Sequence, residues 1–174
     1  GFDFGPRALL DLDEVMVEFF HRYLCGSGAD ARSRVFMTGR NEWLDTARWP
    51  PAPASMLELH MTSTQGANTR RGDGLLCTER VQRVGFDRLT HNPEVPVDFQ
   101  PQFTSFATDA FAHGPVLDQS HITPRDEALI YTSEPLREVV TIAGRPKINL
   151  TVTTMAPDAD IYVLLSDAFP AGAR

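Results

Sequence analysis

The chain has 174 residues and a net charge of -7, with 42% of residues hydrophobic and 22% charged. That size and balance suit a globular domain with a core of its own. The acidic excess argues against nucleic acid or an anionic membrane as partner, and no apolar run is long enough to span a bilayer. The two cysteines, Cys25 and Cys77, are far apart and form no CxxC pair. Scattered thiols of this kind fit a reducing compartment better than a single long-range disulfide, which favours a cytoplasmic address. Any signal peptide would lie upstream of Gly1, so the address stays open.

Residues 1–9 read as irregular. A helix follows from about Leu12 to Leu24, with Asp11 as its N-cap and Asp13 and Glu14 in the first turn, where the helix dipole favours carboxylates. Leu12, Val15, Phe19, Phe20 and Tyr23 make a wide, aromatic stripe at helical spacing, and Gly26 supplies the stop. A stripe so heavily aromatic must pack against something large.

The pattern then changes to short alternating runs. Val35–Thr38 reads as a strand and Gly39 to Glu42 as a turn; Trp43 and Trp49 flank a loop closed by Pro50, Pro51 and Pro53. Met56 to Met61 alternates as a strand, Gln65 to Gly74 reads as a polar loop, and Val81–Phe86 as a further strand. Asn92 to Val97 is an extended surface connection, because its prolines cannot donate to a ladder. Phe99, Phe103, Phe106 and Phe111 suggest a loop pinned to a core. Four more strands are expected at Ala128–Thr132, Val139–Ile142, Lys147–Thr153 and Ile161–Leu165. Strands at short intervals without alternating helices indicate a β-sandwich or jelly roll.

The chemistry of catalysis is sparse. A hydrolase of the α/β kind needs a nucleophile elbow, G-x-S-x-G, and the chain has none; Gly26-Ser27-Gly28 lacks the spacing and follows a helix. The histidines, His21, His60, His91, His113 and His121, show no metal-ligand spacing. His21 lies on or beside the apolar stripe and reads as a packed or half-exposed side chain. Ser120 and His121 are adjacent, so on a strand they face opposite ways and do not form a nucleophile–base pair. Asp158, Asp160 and Asp167 could offer oxygen to calcium, but without a ligand series they read as a solvated turn in which Asp158 bonds its own backbone. Trp43 and Trp49 could stack a sugar or an aromatic substrate, or simply lie between a loop and the sandwich.

Several short motifs occur in a familiar order. They are Phe2 to Pro6; the helix end Phe19 to Gly26; Val35 to Gly39 with Glu42-Trp43 and Trp49-Pro50; Gly72-Asp73-Gly74-Leu75-Leu76; and Asp87 followed by Asn92 to Val97. Asp118-Gln119 with Arg125 to Leu136 follows, and then Gly144, Ala156 to Asp160 and Asp167 to Gly172. In this order they resemble the cocaine esterase, X-Pro dipeptidyl-peptidase and α-amino-acid ester hydrolase family across nearly the whole chain. Between Asp87 and the prolines the chain carries three or four more residues than the family pattern.

The resemblance implies an α/β-hydrolase domain, a helical cap and a C-terminal jelly roll. The serine, aspartate and histidine that do the chemistry would all lie upstream of the matched segment. On this expectation residues 1–30 are the last helix and linker of the α/β-hydrolase domain, and residues 31–174 are a jelly-roll-like β-sandwich truncated at its end. The fold class is thus mainly β with one helix from the neighbouring domain. The complete protein would transfer an acyl group from an ester or amide to serine, without cofactor or metal. This chain would carry no catalytic residue, and its partners would be the rest of the hydrolase and a small ester or peptide. Leu150 and Thr151 fall where the family's jelly roll meets the acyl pocket, although members with a bulkier apolar residue at the Thr151 position would have a tighter pocket; Leu150 reads equally well as core. Open sheet edges would invite homo-oligomers. Two other readings share the fold: a free-standing module binding carbohydrate or peptide on Trp43, Trp49 and Tyr162, and a structural or oligomerisation fragment without a pocket.

Overall fold

The computed structural model describes residues 4–26, 32–68, 72–81, 85–94 and 127–169. Among them the chain is mainly β: five strands and one α-helix, preceded by a 3-10 turn at Pro6–Ala8. Helix α1 runs Leu12–Cys25. Asp11 caps it as expected, its carboxylate accepting from Asp13 N (3.0 Å) and Glu14 N (3.1 Å), and Gly26 closes it in the left-handed region at φ 65°. Among the described residues no helix is long and apolar enough to cross a membrane.

Strands β1 (Ser33–Met37) and β2 (Glu42–Thr46) form an antiparallel hairpin across a turn at 38–41. Gly39 (φ 85°) and Asn41 (φ 53°) take the two left-handed positions of the turn, and Asn41 N donates to Met37 O at 2.8 Å. Side chains alternate across such a ribbon. One face carries the cross-strand pairs Arg34–Asp45, joined at 2.8 Å, and Phe36–Trp43, whose rings meet edge-on at 5.3 Å. Trp43 thus belongs to a strand, not to the flank of a loop. A pair of aromatic residues directly opposite one another is a usual source of hairpin stability.

The second sheet has the order β3–β4–β5: β3 (His60–Thr62) antiparallel to β4 (Leu75–Cys77), and β4 parallel to β5 (Thr132–Ser133). Met37, Ala67 and Thr62 are buried. Both thiols are free; that of Cys77 donates to the backbone oxygens of Glu79 (3.2 Å) and His60 (3.6 Å).

Several expected strands are shorter or absent. The run at 56–61 pairs only from His60, and that at 128–132 only at Thr132. Val139–Ile142, Lys147–Thr153 and Ile161–Leu165 form no ladder, and their apolar side chains are exposed. Alternating hydrophobicity prepares a run for a sheet but does not make it a strand: the backbone needs a neighbour to bond, and none of these runs has one among the described residues. In the run at 81–86, Val81, Gly85 and Phe86 are irregular. Readings that fall on Ser27, Gly28, residues 82–84, Val95 to Val97, the phenylalanines between 99 and 111, His113, Asp118 to Asp126 (Ser120 and His121 with them) and Pro170 to Gly172 lie outside the described residues.

Candidate functional site

Trp43 is half-buried and fixed: beyond its contact with Phe36, its indole Nε1 donates to Arg7 O at 2.9 Å, and Phe36 meets Phe4 at 5.9 Å. The hairpin thereby clasps the segment ahead of α1. Trp49 is half-buried beside the cis Trp49–Pro50 bond. Leu150 and Thr151 are exposed, as is Tyr162. Asp158 accepts from Ala159 N at 2.8 Å, the local turn expected of it, and among the described residues no three His, Cys, Asp or Glu side chains are grouped to hold a metal ion. His60 lies 3.8 Å from Glu58.

The structure instead builds a polar knot that the sequence reading passed over. The link between β3 and β4 begins Ser63-Thr64-Gln65-Gly66-Ala67, and two carboxylates organise it. Asp73 accepts from Thr64 N (2.6 Å), Gly66 N (3.0 Å) and the Thr64 hydroxyl. Asp87 accepts from Ser63 Oγ, 2.6 Å from each of its oxygens, from the Tyr131 hydroxyl (2.7 Å) and from Ala67 N (3.4 Å). Gln65, at the loop's apex, takes φ 77°, a conformation side chains other than glycine rarely adopt. The converging bonds hold it there. β5 joins through the backbone: Ile130 N donates to Ala67 O (2.6 Å) and Thr132 N to Gly74 O (3.1 Å). Gly74 has to be glycine, since a Cβ on it would clash with Ile130 O.

The electrostatics follow from these contacts. Burial alone would raise the Asp87 carboxyl, but hydrogen bonds from Ser63, Tyr131 and Ala67 outweigh it and hold the group below its usual range. Tyr131 moves the other way: burial, its bond to Asp87 and the nearby charges of Asp87 and Asp73 push the phenol well above its ordinary value. A carboxylate stabilised in this manner is a weak base, and Ser63 hydrogen-bonds directly to it with no histidine between. Such a group orders chain; it does not activate a nucleophile.

Comparison with known proteins agrees. Residues 27–174 match the family described as X-Pro dipeptidyl-peptidase C-terminal non-catalytic domain. The chain belongs to that family. It is also 31% identical over 177 residues to the cocaine esterase of Rhodococcus sp. (strain MB1 Bresler), a match that takes in 97% of this chain and 30% of that protein. The chain therefore spans less than a third of that relative's length. The chain is thus a C-terminal part of the cocaine esterase and X-Pro dipeptidyl-peptidase group, and the family's domain is non-catalytic. For this X-Pro dipeptidyl-peptidase C-terminal domain, the motifs that carried the resemblance acquire a physical meaning. Gly72-Asp73-Gly74, Asp87 and the Tyr131 stretch are separate in sequence, yet they meet at the knot. The signal that could have found it was the presence of acidic residues beside polar loop residues in three of the matched motifs. Spacing alone could not pair them, because Asp87 and Tyr131 are 44 positions apart.

Proposed function

We propose that this chain is the C-terminal part of a serine hydrolase acting on ester or amide bonds, acyl or X-Pro dipeptidyl, with the catalytic Ser, Asp and His upstream of this chain and the α/β-hydrolase and cap domains as its partners. Residues 1–30 are the last helix and linker of the hydrolase domain; residues 31–174 form a jelly-roll-like sandwich that walls the substrate cleft. Leu150 and Thr151 lie at that wall. The reading is carried by helix α1. It is well capped at both ends, yet Phe19, Phe20, Tyr23 and Leu24 are all more than half exposed. The rings touch one another, Phe19 to Tyr23 at 4.6 Å and Phe19 to Phe20 at 5.5 Å. An aromatic stripe of that extent facing water is the mark of a missing neighbour. The binding-module alternative loses part of its platform, because Trp43 commits its indole to Arg7 and Phe36. Sheet edges that have no partner strand among the described residues leave homo-oligomers as a further partner state.

The test is enzymatic. Purified alone, the chain is expected to hydrolyse neither p-nitrophenyl acyl esters nor X-Pro p-nitroanilides. In the hydrolase that contains it, Phe20→Glu should weaken the seating of this domain on the catalytic one and lower activity. Turnover by the isolated chain that survives exhaustive purification and disappears when one of its histidines is replaced would overturn the proposal.

A further inference from the structure

Where the chain goes after β5 is set by very little ladder. β5 pairs with β4 at only two positions, Leu75–Thr132 and Leu76–Ser133, in a parallel arrangement, the weaker kind per residue. From Glu134 to Phe169 no described residue pairs in a sheet. The exit of that long stretch, which contains Leu150 and Thr151, from the sheet is therefore set within residues 130–133.

There the knot acts. Tyr131 sits between the two backbone donors, Ile130 N and Thr132 N, that bond Ala67 and Gly74. Its hydroxyl reaches across to Asp87 at 2.7 Å, and the same carboxylate holds Ser63 and Ala67. One carboxylate thus fastens three separate parts of the chain: the loop after β3, the segment around residue 87, and the entry to β5. Its partners are neutral donors, so the fastening is a set of charge-assisted hydrogen bonds within a half-buried site and not an exposed ion pair open to screening by salt. At Gly74 the backbone approaches Ile130 so closely that a side chain there would clash.

We infer that Asp87 and Tyr131 form a positioning latch: the bond between them fixes the exit of the chain from the β3–β4–β5 sheet and thereby seats residues 134–169, with Leu150 and Thr151, against the surface this domain walls. The latch stands on the geometry alone. Its consequence for catalysis rests on the function proposed above.

Amide hydrogen exchange on this chain tests the latch. Tyr131→Phe keeps the ring and removes the donor; Ser63→Ala removes a second donor from the same carboxylate. Tyr131→Phe is expected to speed exchange at Ile130 and Thr132 by roughly ten- to a hundredfold while leaving the β1–β2 hairpin unchanged. Ser63→Ala should produce a smaller change at the same two amides. No change at Ile130 and Thr132 would overturn the latch. So would equal acceleration throughout both sheets, since Asp87 would then be a general element of stability with no local task. The second arm uses the hydrolase containing this chain: Tyr131→Phe and Leu150→Ala should both raise KM several-fold with kcat held. Faster exchange at β5 with KM unmoved would leave the latch in place and remove the cleft-wall reading.

Discussion

Helix α1 and the β3–β4–β5 sheet are built in opposite ways. Everything that makes α1 a helix lies within or beside its own 14 residues: Asp11 at one end, Gly26 at the other, and carboxylates in the first turn. Yet none of its side chains is buried. The sheet has strands of three, three and two residues that would not persist by themselves. It is assembled by contacts across 7 to 44 positions, most of them converging on Asp73 and Asp87. The first region is complete locally and unsatisfied globally; the second is the reverse. Local order is therefore a poor guide to which part of the domain stands by itself.

Removing the Asp87 carboxylate should break this contrast most severely. Asp87→Ala leaves the Ser63, Tyr131 and Ala67 donors without their acceptor and is expected to cost about 3 kcal/mol, read as a lower urea midpoint at unchanged slope. An unaltered midpoint would mean that the sheet is held by something other than its carboxylates.

The same pair sets limits in pH. Asp87 has a lowered carboxyl pKa, so its contribution is present above the ordinary value near 3.8 and is lost as pH falls through the folded value. Tyr131 has a raised one, so its contribution is present below 10.0 and is lost as pH rises through the folded value. The urea midpoint should be level between these limits. Asp87→Asn should flatten the acid limb, and Tyr131→Phe the alkaline one.

Gly74→Ala attacks the sheet through the backbone. The added methyl meets Ile130 O at a distance no structure tolerates, so β4 and β5 must separate. About 2 kcal/mol is expected, with exchange at Thr132 accelerated. Asp11→Ala addresses the other region: loss of the cap should cost about 1 kcal/mol of helix stability, seen as reduced far-ultraviolet helical signal with β5 exchange unchanged. Arg34→Ala should have the smallest effect. The Arg34–Asp45 hydrogen bond lowers the Asp45 carboxyl and raises the Arg34 guanidinium, but both side chains are about half exposed. No measurable change in midpoint is expected from an ion pair so open to water.

How much could be read in advance differs between the same regions. The helix was legible to within a residue or two, because caps, dipole and periodicity are all local signals. The β1–β2 turn was legible from Gly39 and Asn41, although β2 itself was not: Glu42 to Thr46 becomes a strand through the Phe36–Trp43 pair, a relation between strands. The alternating runs at 139–142, 147–153 and 161–165 have the composition of strands but no ladder partner among the described residues, and composition cannot supply one. Leu150 and Thr151 were named by resemblance alone, and the structure leaves both exposed.

By itself the sequence determined the family, the mainly β class, the capped helix and its apolar stripe. These depend on residue types and on spacings of a few positions. Only the tertiary structure decided that Asp73 and Asp87 share one loop, that Tyr131 reaches Asp87, and that Gly74 must lie against Ile130. A carboxylate's acceptors are filled by whatever donors the fold brings within 3 Å or so, and nothing in a linear order of residues names donors that lie dozens of positions away.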